Sequence, residues 1–248
     1  MIRGLDPTIF AVLFLAATFV AAVVVGLAGF AFGLVASGIW LYILSPVQTA
    51  TMILCFGFLV QSYAVWVQRD ALDRRRIWPM VLGSAAGIPI GIAILTAANP
   101  VYLRMGVGAV LVLYSVYGLA RPAMKPLTAG GVPADIGAGV VNGILGGTTG
   151  LAGVFATIWC QLRGGPRDRQ RAVFQPVGVL SFLMCGAWLG GRGEIPPDTW
   201  WLVLLGLPAL AAGCWLGWRL YGRLDEAQFR KTVLVLLLVS GTILIFGR

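Results

Sequence analysis

Histidine is absent from this chain, and with it the commonest metal ligand and the side chain that relays protons near neutral pH. Charge is scarce too: 11% of the 248 residues are charged and 59% are hydrophobic. So little charge excludes an ordinary soluble domain and points to a polytopic membrane protein. The acidic residues Asp6, Asp70, Asp73, Asp135, Asp168, Glu194, Asp198, Asp225 and Glu226 all fall in loops or at the ends of apolar runs. No carboxylate stands mid-run, where a cation carrier or proton pump usually keeps one, so an anion is the better substrate. Cys55, Cys160, Cys185 and Cys214 lie on four separate runs without C-x-x-C spacing, which speaks against a zinc site or a redox pair. They read as small hydrophobes, with a soft contact to a sulfur-containing substrate as the other reading. No P-loop is present, and neither a metal nor a cofactor is expected.

What the chain does have is apolar runs, at 9–44, 47–68, 77–98, 101–120, 132–162, 172–191, 199–218 and 229–247. The first follows Met-Ile-Arg, as in a signal peptide, but continues to Leu44 and reads as a retained membrane segment. Six runs have the length of one span. The other two are too long: as straight helices they would measure about 54 Å and about 46 Å, against a hydrocarbon core of about 30 Å. The net charge of +9 resides in short loops between runs, which is an orientation signal and not a nucleic-acid surface.

Both over-long runs carry the same glycine pattern. Gly26-x-x-Gly29-x-x-x-Gly33-Leu34 returns 117 positions later as Gly143-x-x-Gly146-x-x-x-Gly150-Leu151. At a shift of 126, Gly87 and Gly91 match Gly213 and Gly217. These matches predict an internal duplication, with repeats over 1–125 and 126–248. Each long run is then either a steeply tilted helix or a hairpin turning at its glycines. Charge decides for the hairpin. Only then do the basic loops with Arg74–Arg76, Arg121 and Lys125, Arg163–Arg171, and Arg219 and Arg223 share one side of the membrane. The expectation is an all-α polytopic membrane protein of two inverted repeats, each a glycine-broken helical hairpin plus three transmembrane helices. Trp40, Trp66, Trp78, Trp159, Trp200 and Trp201 fall near run ends and read as interfacial anchors.

Paired interrupted helices in matching places are the best sequence pointer to a transporter binding site. A helix restarting after a break offers N–H groups and a positive dipole end to an anion. The glycines of the two motifs serve such a site or permit close packing; those of Gly83, Gly87, Gly91, Gly213 and Gly217 read as packing. The second break is the more polar, with Asn142, Gly146, Gly147, Thr148, Thr149 and Gly150. The first offers Gly29, Gly33 and Ser37, with Phe30 and Phe32 as an apolar gate or plain packing. Gln61, Ser62, Ser84, Gln175 and Ser181 are the other intramembrane polar residues. Gln61 and Gln175, each on the second run of its half, line the cavity or bond between helices. The cluster around Arg163 and Arg171 reads as an orientation signal, or as a lure for anions at the cytoplasmic mouth.

The segments Gly26-Leu-Ala-Gly-Phe-Ala-Phe-Gly33, Gly143-Ile-Leu-Gly-Gly-Thr-Thr-Gly-Leu-Ala-Gly153 and Arg163-Gly-Gly-Pro-Arg167 resemble the TauE/SafE family, as does the two-half layout of the whole chain. Where that family commonly has a Gly-Gly-Gly run and a proline after the first break, this chain has Gly33-Leu-Val-Ala-Ser-Gly-Ile-Trp40. The resemblance implies a bacterial inner-membrane carrier of sulfite, an organosulfonate or another small sulfur oxyanion. The expected function is a secondary transporter or facilitator exporting a small anion by alternating access, with the substrate between the two breaks. The expected partners are that anion and membrane lipid, with a second copy of the chain as a candidate. The alternatives are a membrane scaffold or subunit without transport of its own and, last, a membrane enzyme, for which no catalytic set is present.

Overall fold

The computed structural model describes residues 6–28, 31–67, 69, 72–120, 127, 130–220 and 226–246. Gly29, Phe30, Asp70, Arg121, Lys125, Arg223 and Asp225 lie outside them. The chain forms α1 (Pro7–Ala28), α2 (Phe32–Ile43), α3 (Pro46–Val67), α4 (Arg74–Ala97), α5 (Pro100–Ala120), α6 (Gly131–Thr149), α7 (Val154–Arg163), α8 (Arg167–Gly191), α9 (Asp198–Leu220) and α10 (Glu226–Phe246), with no strand among the described residues. Helices α1, α3, α4, α5, α8 and α9 each hold a stretch long and apolar enough to cross a membrane. The protein is therefore an all-α, multi-pass membrane protein. Five of the six runs read as single spans reappear among these helices. The sixth lies on α10, whose described apolar part is Leu237–Phe246.

Both over-long runs are broken and fold back on themselves. A straight helix would hold Phe14 and Trp40 about 39 Å apart; their rings stack at 5.6 Å instead. Asp135 and Arg163 would stand about 42 Å apart but are in contact at 2.9 Å. The first turn lies just before α2, at Ala31, which has φ 77° and is the one non-glycine residue with positive φ among those described. Gly33, expected at that turn, is the second residue of α2. In the second hairpin the left-handed positions are glycines: Gly150 closes α6 at φ 76° and Gly153 precedes α7 at φ 100°.

The chain divides into two compact units, each drawn from both sequence halves. One comprises Met1–Thr49, Ala98–Pro122 and Pro197–Arg248; the other, Ala50–Ala97 and Ala123–Pro196. In the first unit the leading hairpin packs through α1 along α9, and α5 along α10. In the second unit the later hairpin packs through α6 along α4, and α7 and α4 each meet α8. Each hairpin therefore rests on a span of the other sequence half.

Glycines make this packing close. Gly83, Gly87 and Gly91 of α4 face Gly139, Gly143 and Gly147 of α6, and a Cβ on any of the six would strike backbone of the opposite helix. In the first unit a Cβ on Gly213 would meet the Phe19 carbonyl at 2.6 Å, and one on Gly217 the Val23 carbonyl at 2.6 Å. The packing reading of these glycines holds. The contacts also give a register. Gly213 touches Phe19 and Val23 as Gly83 touches Ile136 and Val140, and Gly26 meets the Cys214 carbonyl as Gly143 meets that of Ser84. By contact, then, Gly83 corresponds to Gly213 and Gly87 to Gly217, one helical turn from the pairing read in the sequence.

Trp40 departs from the anchor reading: it is fully buried, stacked on Phe14 and edge-on to Phe32 at 5.8 Å. Phe32 accordingly packs within the hairpin. Trp66, Trp78, Trp200 and Trp201 are exposed, as anchors should be. Cys160, Cys185 and Cys214 are buried free thiols and Cys55 is partly buried.

Candidate functional site

The richest polar cluster in the second unit surrounds the break between α6 and α7. Asn142, three turns into α6, is fully buried. Its Oδ1 accepts the Gly153 amide N–H at 2.9 Å and the Ala156 amide N–H at 3.2 Å. It therefore caps α7 from a neighbouring helix, placing a carbonyl dipole at the positive end of the restart. Its Nδ2 donates to Ser84 Oγ on α4 at 3.1 Å and to Ser181 Oγ on α8 at 3.3 Å. Ser84 in turn donates to the Gly139 carbonyl at 3.1 Å. One buried amide thus joins four helices. The expectation of bare N–H groups at the restart is corrected at Gly153 and Ala156, whose amides Asn142 engages.

The loop completes the cluster. Thr149 Oγ1 donates to the Leu145 carbonyl at 2.6 Å and accepts the Leu151 N–H at 3.1 Å. Gly150 lies against Ala50 of α3, where a Cβ would stand 2.8 Å from the Ala50 Cα. Gly146 faces Ala152 across the turn. Gln61, on α3, presses its amide oxygen against Gly178 of α8, and its amide lies near Gly153. That oxygen is buried and accepts no hydrogen bond. Gln175, buried, stands one turn before Gly178 on α8.

Of the candidate residues, Asn142, Thr149, Gly150 and Gln61 meet around this break, with Gly146 and Gln175 beside them. Gly147 and Thr148 turn toward α4: Thr148 Oγ1 reaches the carbonyls of Ile144 at 2.7 Å and Gly91 at 3.3 Å. Ser37 and Gly33 belong to the other unit. There Ser37 is buried and donates to the Leu34 carbonyl of its own helix at 3.1 Å. Gly29 lies outside the described residues. Sequence reasoning does not single out Ser84, Ser181, Gly153 or Gly178 as site residues. The first two were visible only as intramembrane hydroxyls. Gly153 carried a fuller signal, as a further glycine three residues beyond Gly150.

The model of the sulfite exporter TauE/SafE family matches residues 14–244. The chain belongs to the TauE/SafE family. No curated protein and no solved structure matches it. Family membership and the six apolar helices make it a multi-pass membrane transporter, fitting the bacterial inner membrane, of a family that carries sulfur anions rather than performing catalysis. The cluster at the second break gathers helix-start amides, hydroxyls and carboxamides in an apolar surround.

Proposed function

We propose that this TauE/SafE protein is a secondary carrier or facilitator that exports sulfite or a small organosulfonate by alternating access, and that the second hairpin receives the anion. The observation that supports this most is the buried Asn142 cluster at the start of α7. Polar groups inside a membrane are costly and are mostly kept for function. Asn142 Oδ1 occupies two amides that an oxyanion oxygen would seek. The anion exchanges with that carbonyl, while Asn142 Nδ2, Thr149, Gln61 and Gln175 face the bound ion. Short arms favour the same reading. The twelve residues of α2 and the ten of α7 extend about 18 Å and about 15 Å, which suits turns near the middle of a core about 30 Å thick. The matched glycine contacts of the two units support the inverted duplication, since one hairpin-on-span contact recurs with equivalent residues.

The test is a proteoliposome panel of sulfite, sulfate, thiosulfate and short sulfonates. Uptake of at least one sulfur anion is expected. An Asn142→Asp variant that stays folded should lose it, because a carboxylate at the helix start repels the substrate. No flux for any anion from active-quality protein would remove the transport reading in favour of a scaffold.

A further inference from the structure

A second polar cluster closes the opposite end of the same hairpin, and anion binding as proposed above does not use it. Asp135 lies in the second turn of α6, while Trp159 and Arg163 lie toward the end of α7. A single carboxylate oxygen, Asp135 Oδ1, accepts the Trp159 indole N–H at 2.8 Å and Arg163 Nη2 at 2.9 Å. The guanidinium also donates to the carbonyls of Gly131 at 3.0 Å and Leu127 at 3.4 Å. It stacks over the Trp159 ring, 5.1 Å from the centroid. The Leu127 N–H donates to the Leu162 carbonyl at 2.9 Å. Both charged side chains are only 16% exposed. The pair between Arg76 and Asp73 is the contrast, at 3.8 Å and largely exposed, the kind that contributes little.

An orientation signal needs only a positive charge near the membrane. It needs no shielded carboxylate, no indole donor and no pair of carbonyl acceptors. This surplus of partners marks a structural task for Arg163, and it also rules out a side chain free to lure anions. The task follows from the shape of α7. That helix has ten residues, with Asn142 holding its first turn and Arg163 its last. A rod fixed at both ends neither slides nor rolls against its neighbour. We infer that Asp135, Trp159 and Arg163 form a latch that locks α7 to α6, so that the hairpin moves through the transport cycle as one rigid piece. Asp135 and Arg163 are then positioning residues: they keep the Gly153 and Ala156 amides in register with Asn142. The functional part of this inference rests on the transport reading, whereas its geometry is testable without flux.

The experiment is residue-resolved hydrogen exchange on the full-length protein, comparing wild type with Arg163→Gln. Gly153 lies about 15 Å from Arg163 along the helix. The latch predicts exchange at Gly153 and Ala156 faster by about tenfold or more, and a smaller increase in Arg163→Lys, whose ammonium still pairs with Asp135. Faster exchange confined to 159–163 overturns the proposal. If Arg163→Gln does not fold, Asp135→Cys with Arg163→Cys, joined by a short bifunctional thiol reagent, gives the answer. Joined protein that transports at the wild-type rate supports a latch that stays shut, and joined protein that stops transporting overturns it. Wild-type liposomes that carry no anion would defeat the transport reading, and the exchange data would then judge the latch alone.

Discussion

The two hairpins occupy matching places in the chain and are built from opposite materials. In α1–α2 the arms meet through Phe14, Trp40 and Phe32, and the polar side chains there, Thr18 and Ser37, bond back to their own helices. In α6–α7 the arms meet through Asn142 at one end and the Asp135–Arg163 pair at the other. The contact register sharpens the contrast. Asn142 corresponds to Val25, which is 3% exposed, and Ser84 corresponds to Cys214. The arms of one hairpin are joined through packed rings and those of the other through hydrogen bonds. A break needs its backbone groups satisfied, but it does not need polar side chains from three different helices bonded together. The first hairpin closes without such a network, and under the proposed function the network of the second serves the ligand.

The largest expected effect breaks the second hairpin at its support. Gly143→Leu drives a side chain into the Ser84 carbonyl backbone, so folded, monodisperse protein should be lost, with a penalty beyond about 3 kcal/mol. Gly26→Ala, at the matching place, meets Cys214 O at 3.0 Å and Gly217 Cα at 2.9 Å, and should yield folded protein with a lowered melting temperature. Gly143→Ala, the like-for-like change, should lose more stability than Gly26→Ala, and equal losses would contradict the difference in closeness.

Next in size is the apolar hairpin. Trp40→Ala removes a fully buried ring from its stack on Phe14, at a cost of about 3–5 kcal/mol. Trp40→Phe should recover most of it. Since this hairpin is assigned no ligand chemistry, Trp40→Phe should keep the anion KM unchanged in liposomes. A changed KM would give the first hairpin a share of the site.

Making the second hairpin resemble the first is the more discriminating change. Asn142→Val leaves the Gly153 and Ala156 N–H groups without their acceptor and removes the donor to Ser84 and Ser181. Thermal unfolding should report a loss of about 2–4 kcal/mol, and flux should fall to background. Val25→Asn places an amide where the register offers Cys214 in place of Ser84 and so no hydroxyl to meet it, and should cost about 1–3 kcal/mol without creating transport. Persistent flux in folded Asn142→Val would detach the cluster from the substrate.

The contrast also explains what the sequence could reveal. The breaks were legible, because glycine spacing, run length and loop charge each constrain a hairpin independently. Close packing of α4 was legible from Gly83, Gly87 and Gly91 at four-residue intervals. That same interval hid the register, since a series spaced by four matches itself after slipping one turn. Ala31 gave no warning, because a left-handed alanine carries no compositional mark. Trp40 was misread because nearness to a run end does not reveal whether a short arm folds against its partner. The roles of Asn142 and Arg163 depend on contacts with Gly153 and Asp135 that exist only once the hairpin closes. The exchange of hairpins between sequence halves is likewise a matter of partners, on which apolar periodicity is silent.

The smallest effect on stability is expected at Thr148 and Thr149. Both hydroxyls donate to the carbonyl four residues back on α6, at 2.7 Å and 2.6 Å, and those carbonyls keep their helical environment when the hydroxyl goes. Valine is nearly the same shape, and only the Leu151 N–H loses an acceptor. Thr148→Val with Thr149→Val should therefore lower stability by no more than about 1–2 kcal/mol. The two hydroxyls differ in aim: Thr149 faces the break, while Thr148 also reaches the Gly91 carbonyl on α4 at 3.3 Å. If the break receives the anion, Thr149→Val alone should raise its KM several-fold and Thr148→Val should leave KM as it was. Sulfite uptake measured against concentration for the two single variants separates the cases. An unchanged KM in both would move the ligand away from the loop and leave Asn142 purely as the cap of α7.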